Sequence, residues 1–180
     1  MTVLPSARAP LIDRIRRAPL GNDDPRVAAA VQDLEADVIE AARDAGLVLP
    51  DRIRQFLNGI FAGSPYLSGL IRRDPSRLVR MLGQAPEETR AKLLERVVEE
   101  AGQAQSVAEV MAALRRFKNE IALLTALADL GGVWDLSEVT GTLTQAADAA
   151  VQQAVRFLFR QAIAYGSCLD TDDPQPEQNS

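Results

Sequence analysis

The stretch at residues 107–140 constrains the fold more than any other part of the chain. Its apolar residues recur in alternating steps of three and four, which puts them on one side of an α-helix and excludes a strand. These residues are Val107, Val110, Leu114, Phe117, Ile121, Leu124 and Ala128. Gly131 and Gly132 follow and supply the positive-φ position that a helix C-terminus favours. One long helix is therefore predicted to end at this turn.

A second long helix is predicted to begin directly after the turn. Asp135 and Glu138 have the spacing of a capping box, in which each side chain bonds the backbone N–H of the other residue. Trp134 and Val139 occupy the two positions of a hydrophobic staple. The stretch therefore predicts a helical hairpin.

Helix-start signals recur through the rest of the chain. An X-Pro pair stands at 24–25, 64–65, 74–75 and 85–86, and Ser106-x-x-Glu109 is a further capping box. The apolar positions after these starts follow helical spacing, and no alternating strand pattern occurs. Those expected to be buried include Val31, Leu34, Val38, Ile53, Phe56, Leu57, Ile60, Leu78, Val79, Leu82, Leu93, Val97 and Val98. The predicted fold is all-α, a multi-helix bundle with a long antiparallel helical hairpin at its C-terminal end.

The last helix is expected to run from about Leu136 to Gly166. Small and aliphatic residues again recur at helical spacing along it, and we expect this stripe to pack closely against the partner helix. The stripe consists of Leu143, Ala147, Ala150, Val151, Ala154, Leu158 and Ala162.

Composition shifts divide the chain into three parts. Residues 1–24 hold three prolines and scattered arginines without a sustained period, which indicates a mobile N-terminal arm. Residues 25–168 are predicted to form the helical domain. Residues 169–180 are acidic and contain Pro174 and Pro176, a composition typical of a linker.

Charge and composition exclude several classes of protein. The net charge of −5 argues against a general nucleic-acid binder, which needs a basic surface to neutralise phosphates. The longest strongly apolar run, residues 121–128, is far shorter than the ~20 residues of a membrane helix. The N-terminal arginines precede no apolar core of signal-peptide type. A single cysteine, Cys168, excludes an internal disulfide and fits a reducing cytoplasm.

The residue types needed for catalysis are scarce. The chain has no histidine, which excludes imidazole catalysis and His-ligated metal sites, and we interpret Cys168 as a small apolar filler. Gly166-Ser167 followed by Asp170-Thr171-Asp172 resembles the phosphate-binding and metal-binding elements of a nucleotidyltransferase. Both elements crowd into seven residues, however, so a helix end followed by an acidic linker is the preferred interpretation. We assign no catalytic, cofactor-binding or metal-binding residue.

Three features remain as candidates for an interaction role. Asp129 lies near a helix C-terminus, where its charge is unfavourable and invites a basic partner such as Arg115 or Arg116, or a local cap, in preference to a catalytic or partner-binding role. Trp134 is expected to act as the hairpin staple, although it could also contact a partner. A basic cluster could meet a phosphate or an acidic protein face, or could simply be a solvated helix surface. It consists of Arg72, Arg73, Arg77 and Arg80.

The hairpin also carries a family resemblance. Leu-Arg-Arg-Phe-Lys at 114–118, Ala-Leu-Ala-Asp-Leu-Gly-Gly-Val-Trp at 126–134 and Leu-Ser-Glu-Val-Thr at 136–140 resemble the helical region of glutamine synthetase adenylyltransferases. Gly-Ser-Pro-Tyr-Leu at 63–67 resembles a second short signature of that region. The resemblance covers roughly residues 50–173. It implies the N-terminal helical portion of a bifunctional adenylyltransferase/deadenylylase.

The resemblance implies an enzyme that transfers AMP from ATP to a tyrosine of glutamine synthetase, using Mg²⁺, and removes it by phosphorolysis. It also implies a PII-type signal protein as a partner. The catalytic core would begin just after this chain, so residues 169–180 would precede a missing nucleotidyltransferase domain and the chain alone would be inactive. The alternative is a free-standing helical protein-interaction module without catalysis.

Overall fold

The chain folds into helices joined by short connections. A computed structural model describes residues 9–20 and 25–164, except for the side chains of residues 25–27. The described residues form eight helices and no strand, which confirms the all-α prediction. None of these helices combines the length and apolarity needed to cross a membrane. They are α1 (Leu11–Arg14), α2 (Pro25–Asp44), α3 (Asp51–Gly63), α4 (Pro65–Arg73), α5 (Pro75–Leu82), α6 (Pro86–Gln103), α7 (Val107–Leu130) and α8 (Leu136–Ala164).

Several helices begin where the sequence signals predict. The side chains of Ser64, Asp74 and Ser106 each accept a hydrogen bond from the backbone N–H three residues later, at 3.3, 2.9 and 3.2 Å. Each bond satisfies one of the donors that a helix N-terminus leaves without an intrahelical partner. These caps fix the starts of α4, α5 and α7.

The start of α8 has the predicted capping box. The Glu138 N–H donates to Asp135 Oδ1 at 2.8 Å, and the Asp135 N–H donates to Glu138 Oε2 at 3.3 Å. In the turn before it, Gly132 has φ of 66°, a left-handed conformation that a side chain would strain. The turn and the cap together separate α7 from α8.

The helices form two contacting groups. Helices α6, α7 and α8 all contact one another, whereas α2 contacts α3, α4 and α5. Helix α4 also contacts α7, and one hydrophobic core runs through both groups. Its fully buried members include Leu34, Ile53, Phe56, Ile60, Leu78, Leu82, Leu123, Leu124 and Leu127. The buried positions predicted for α3 and α5 are confirmed.

The described part of the N-terminal segment, residues 9–20, packs against the core. Leu11, Ile12 and Ile15 are buried in the main core, and α1 contacts α5. The Leu11 N–H also donates to the Gln84 carbonyl oxygen at 2.8 Å. Three apolar side chains within five residues stabilise this segment against the core, although α1 has only four residues and shows no sequence periodicity. Residues 9–20 therefore pack against the helical domain, while the division of the chain at residue 24 stays a prediction.

Helix α8 presents a different face to the core than the sequence predicts. Its buried residues are Thr142, Ala146, Gln153 and Phe157. Three large members of the predicted stripe point away from the core, with Leu143 47% exposed, Val151 63% and Leu158 61%, whereas Ala150 packs against it. The predicted packing face was wrong at these positions because it was selected by hydrophobicity, whereas the side that is buried includes two polar side chains, Thr142 and Gln153.

Two further apolar positions are exposed. Val98, on α6, was expected to face inward and is 44% exposed, and Val107, at the first position of the apolar stripe of α7, is 52% exposed. The other predicted α7 positions are buried or partly buried. The boundaries of the arm, the helical domain and the linker stay predictions, and the linker at 169–180 lies outside the described residues.

Candidate functional site

The turn between α7 and α8 is covered by the N-terminal segment. The backbone N–H groups of Arg16 and Arg17 donate to the Gly131 carbonyl oxygen at 2.8 and 3.3 Å. A Cβ on Gly131 would lie 2.8 Å from the Leu127 carbonyl oxygen and 2.9 Å from Ile15 Cγ1. Only glycine therefore lets the segment approach the turn this closely.

Glu87, in the first turn of α6, connects this segment to the turn. Its Oε2 accepts a hydrogen bond from Arg14 Nη1 at 2.7 Å, and its Oε1 accepts one from Trp134 Nε1 at 2.8 Å. The Arg14 side chain is 11% exposed and that of Glu87 28%, so the ion pair is only partly screened by water. One carboxylate therefore holds together α1, α6 and the turn.

The surroundings of Glu87 change its acidity. Partial burial by itself raises the pKa of Glu87, but the hydrogen bonds from Arg14 and Trp134 outweigh it. A bond from its own backbone N–H and the positive charge of Arg14 act in the same direction, so the pKa lies below the ordinary value of 4.5. Glu87 is consequently ionised at neutral pH.

Arg90 extends the same cluster toward α8. Its guanidinium carbon lies 5.4 Å from the centroid of the Trp134 ring, a cation–π arrangement. Its Nη1 donates to Thr142 Oγ1 at 2.9 Å. Trp134 is itself 4% exposed, so both its ring face and its N–H are used in packing α6 against the turn between α7 and α8. We call Arg14, Glu87, Arg90, Trp134 and Thr142 the turn cluster.

The turn cluster has the chemistry of a structural clamp. Both carboxylate oxygens of Glu87 already accept strong hydrogen bonds, which leaves it poorly suited to hold a metal ion or to accept a proton. Within residues 9–20 and 25–164, no three acidic, histidine or cysteine side chains lie close enough to bind a metal. The absence of catalytic, cofactor-binding and metal-binding residues stays a prediction for the whole chain.

The predicted basic cluster is divided in the structure. Arg77 is partly buried, and its Nη2 donates to the Leu70 carbonyl oxygen at 2.8 Å. Arg80 Nη2 lies 3.5 Å from Asp74 Oδ2, while Arg72 and Arg73 are exposed. The four arginines therefore do not form one patch.

A small groove adjoins Arg77 and Arg80. Its volume is ≈ 170 Å³, and Lys92, Arg96 and Glu120 also line it. Glu120 pairs with Arg96 and lies 3.9 Å from Arg77, and Asp74 lies 3.5 Å from Arg80. Carboxylates therefore already pair with three of the four basic side chains that line the groove. The groove is a weak candidate for an anion site.

The structure describes the candidate residue Asp129 but not the candidates near the C-terminus. Asp129 is exposed, and its backbone carbonyl oxygen accepts a hydrogen bond from the Gly132 N–H at 2.9 Å. Arg116, one of the basic partners considered for it, instead pairs with Glu100 at 2.9 Å. Cys168 and the Gly166-Ser167 and Asp170-Thr171-Asp172 elements lie outside the described residues.

Sequence reasoning identified only Trp134 from the turn cluster. Glu87 was not identified because an acidic residue in the first turn of a helix is already explained by its favourable interaction with the helix dipole. The sequence feature that could have indicated a structural role for Arg14 was its position between Ile12 and Ile15 in an otherwise proline-rich segment. No local pattern connected Arg90 to Trp134, which lies 44 positions further along the chain.

Comparisons with known proteins place this chain among much longer ones. Residues 54–179 match the family model described as glutamate-ammonia ligase adenylyltransferase. A Rhodopseudomonas palustris protein named bifunctional glutamine synthetase adenylyltransferase/adenylyl-removing enzyme is 44% identical over 155 residues, which is 86% of this chain and 16% of the relative. No solved structure matches the chain.

Proteins of the same printed name in two other organisms are similar. The Bradyrhizobium relative is 48% identical over 124 residues, covering 69% of this chain and 13% of the relative. The Caulobacter vibrioides relative is 42% identical over 170 residues, covering 93% of this chain and 16% of the relative. The chain thus spans less than a fifth of the length of these curated relatives.

Proposed function

The chain belongs to the glutamate-ammonia ligase adenylyltransferase family, and we propose that it is the N-terminal helical part of an enzyme that adenylylates and deadenylylates glutamine synthetase. In this proposal the helices support the catalytic domains and help to position the target enzyme. The nucleotidyl-transfer centre lies in another part of the polypeptide. Residues 1–180 alone would then transfer no AMP.

The observation that carries the proposal is the extent of the match. A segment covering 86% of this chain corresponds to only 16% of the R. palustris relative, whose printed name states both activities. In the chain itself, Glu87, the acid whose pKa is lowered, is committed to Arg14 and Trp134. Both observations favour a supporting role over a catalytic one.

The remaining parts of the proposal follow from the family. The complete enzyme would use ATP and Mg²⁺, take glutamine synthetase as its protein substrate and respond to a PII-type signal protein. It would act in the cytoplasm as part of nitrogen regulation. We propose no nucleic-acid partner, since the net charge of −5 disfavours phosphate contacts.

We also propose that α7 and α8 form a long antiparallel hairpin. Val110, near the start of α7, and Phe157, near the end of α8, belong to one hydrophobic cluster, which supports this arrangement. Paired spin labels can test it. An antiparallel hairpin predicts a shorter distance between positions 107 and 158 than between 107 and 136, and the reverse order would contradict it.

A chimera tests the proposed function directly. Residues 54–164 of this chain would replace the matching segment of the R. palustris relative, and AMP transfer to glutamine synthetase would be followed with ATP labelled in its α-phosphate. We expect the chimera to retain transfer and the 180-residue chain to show none. Transfer by residues 1–180, or an inactive chimera that is folded by circular dichroism, would contradict the proposal.

The free-standing interaction module remains the second candidate. The exposed aliphatic residues of α8 favour it, because such a surface could bind a separate protein. This candidate predicts that the chain binds a partner without supporting AMP transfer in the chimera. The chimera therefore separates the two functions.

A further inference from the structure

Helix α8 has an apolar face that no other described part of the chain covers. Its residues follow one another in steps of three, four or seven, so they lie along one side of the helix. Five are exposed by more than 40%, and Ala147 is also exposed. We call these residues the outer face of α8: Leu136, Leu143, Ala147, Val151, Val155 and Leu158.

The outer face is mostly apolar, and Thr140 and Thr144 are polar residues within it. Helix α8 has 29 residues, of which only Glu138, Asp148, Arg156 and Arg160 are charged. At 100° per residue Glu138, Arg156 and Arg160 lie on the remaining sides of the helix, whereas Asp148 lies at the edge of the outer face, about 20° from Val155. A shallow groove of ≈ 590 Å³ runs beside Val151 and Val155. A long aliphatic strip bordered by polar residues is typical of a surface that another protein surface covers.

The length of the relatives indicates what covers it. In the R. palustris relative, 84% of the polypeptide lies outside the matched segment, since that segment is 16% of its length. A surface in the same polypeptide is present at an effective concentration of order mM, which favours it over a second copy of the protein at lower concentration. A face of aliphatic side chains with one charged residue, Asp148, at its edge also favours a mainly apolar occupant over a strongly acidic or basic partner.

We propose that the outer face of α8 is an internal interface, covered in the full-length enzyme by an apolar surface from the polypeptide outside this segment. The inference rests on the proposed function, because it treats the chain as part of the longer enzyme. It adds which surface of the helical part makes the contact. The buried face of α8, with Phe157 and Ala146, attaches the helix to α6 and α7, and the outer face receives the rest of the enzyme.

Thiol labelling at introduced cysteines tests the interface, with the native Cys168 replaced by Ala in the 180-residue chain. Val151→Cys on the outer face of α8 and Glu95→Cys on the exposed side of α6 would each be introduced into two proteins, the 180-residue chain and the R. palustris chimera. Labelling by a maleimide would be measured at each peptide by mass spectrometry. Circular dichroism would check that each variant is folded.

We expect both probes to react rapidly in the 180-residue chain. In the chimera, labelling at position 151 should slow by at least 10-fold, while labelling at position 95 should change less than 2-fold. Equal labelling of position 151 in the two proteins would overturn the inference. A second overturning result is slow labelling at position 151 in the 180-residue chain that becomes faster when the protein is diluted. A second copy of the chain would then be the occupant of the outer face.

AMP transfer by the same chimera separates this inference from the proposed function. An active chimera with rapid labelling at 151 contradicts the interface but supports the function. An inactive chimera with protection at 151 supports the interface and contradicts the function. The two readouts do not depend on each other, since Val151 is not part of any assigned catalytic site.

Discussion

Helices α6 and α8 pack against the same helix, α7, but their outward sides differ in chemistry. Helix α6 has eight charged residues among 18, whereas α8 has four among 29. Those of α6 are Glu87, Glu88, Arg90, Lys92, Glu95, Arg96, Glu99 and Glu100. The outward side of α6 is suited to water, and the outer face of α8 is suited to another protein surface.

The two helices are also attached to α7 in different ways. On α6, Arg96 pairs with Glu120 of α7, and Glu100 pairs with Arg116 of α7. On α8, Phe157 is buried in a cluster with Val110 of α7 and with Ala101 and Ala104 from the end of α6 and just beyond it. Charge therefore contributes to the attachment of α6, while apolar packing dominates that of α8.

The largest expected effect separates two neighbouring residues of α8. Phe157 is 2% exposed and Leu158 is 61% exposed. Phe157→Ala should lower the free energy of unfolding by about 3–5 kcal/mol, because it leaves a cavity between three helices. Leu158→Ala should change it by less than about 0.5 kcal/mol. Urea unfolding of the 180-residue chain measures both, and equal losses would contradict the assignment of the two faces.

A smaller loss is expected at the polar attachment of α6. Glu87→Gln keeps an acceptor for Trp134 but removes the charge that pairs with Arg14, so the free energy of unfolding should fall by about 1–3 kcal/mol. Glu88→Gln, at the exposed neighbouring position, is the control and should have an effect below about 0.5 kcal/mol. If both substitutions had the same effect in urea unfolding, Glu87 would have no special role.

The pH dependence of that loss is a finer test. Because the pKa of Glu87 is lowered on folding, its ionised form stabilises the folded state fully above pH 4.5, and this contribution disappears as the pH falls through the lowered value. The difference between the wild-type chain and Glu87→Gln should therefore be constant near neutral pH and shrink below pH 4.5. Phe157→Ala should show no such trend, since no titrating group is removed. If the difference in the free energy of unfolding between the wild-type chain and Glu87→Gln stayed constant down to the lowest pH, the role of Glu87 as a structural clamp would be contradicted.

Most of the fold could be predicted because its signals are local. The caps at Ser64, Asp74 and Ser106 and the Asp135–Glu138 box each specify a helix start from residues within four positions. The helical spacing of the α3 and α5 core residues was also sufficient. These features depend on backbone geometry and burial pattern, which the sequence contains directly.

The missed features depend on contacts between distant segments. The packing of Ile15 needs the turn at Gly131 as a partner, and the Glu87–Trp134 bond joins residues 47 positions apart. On α8, hydrophobicity alone predicted that the outer face would be buried, because the side that is in fact buried includes the polar residues Thr142 and Gln153. When a helix packs against its own domain with one face and against a second protein surface with another, it has no single apolar side from which the sequence could predict its buried face.

A charged substitution on α8 tests the central claim most directly. Val151→Glu would be compared with Glu95→Lys on α6, in the 180-residue chain and in the R. palustris chimera. In the short chain, both should change the free energy of unfolding by less than about 0.5 kcal/mol, because both positions are exposed. In the chimera, Val151→Glu alone should lower the temperature at which AMP transfer is lost, since it would bury an unpaired charge. The same inactivation temperature with and without Val151→Glu would contradict an interface on this face of α8.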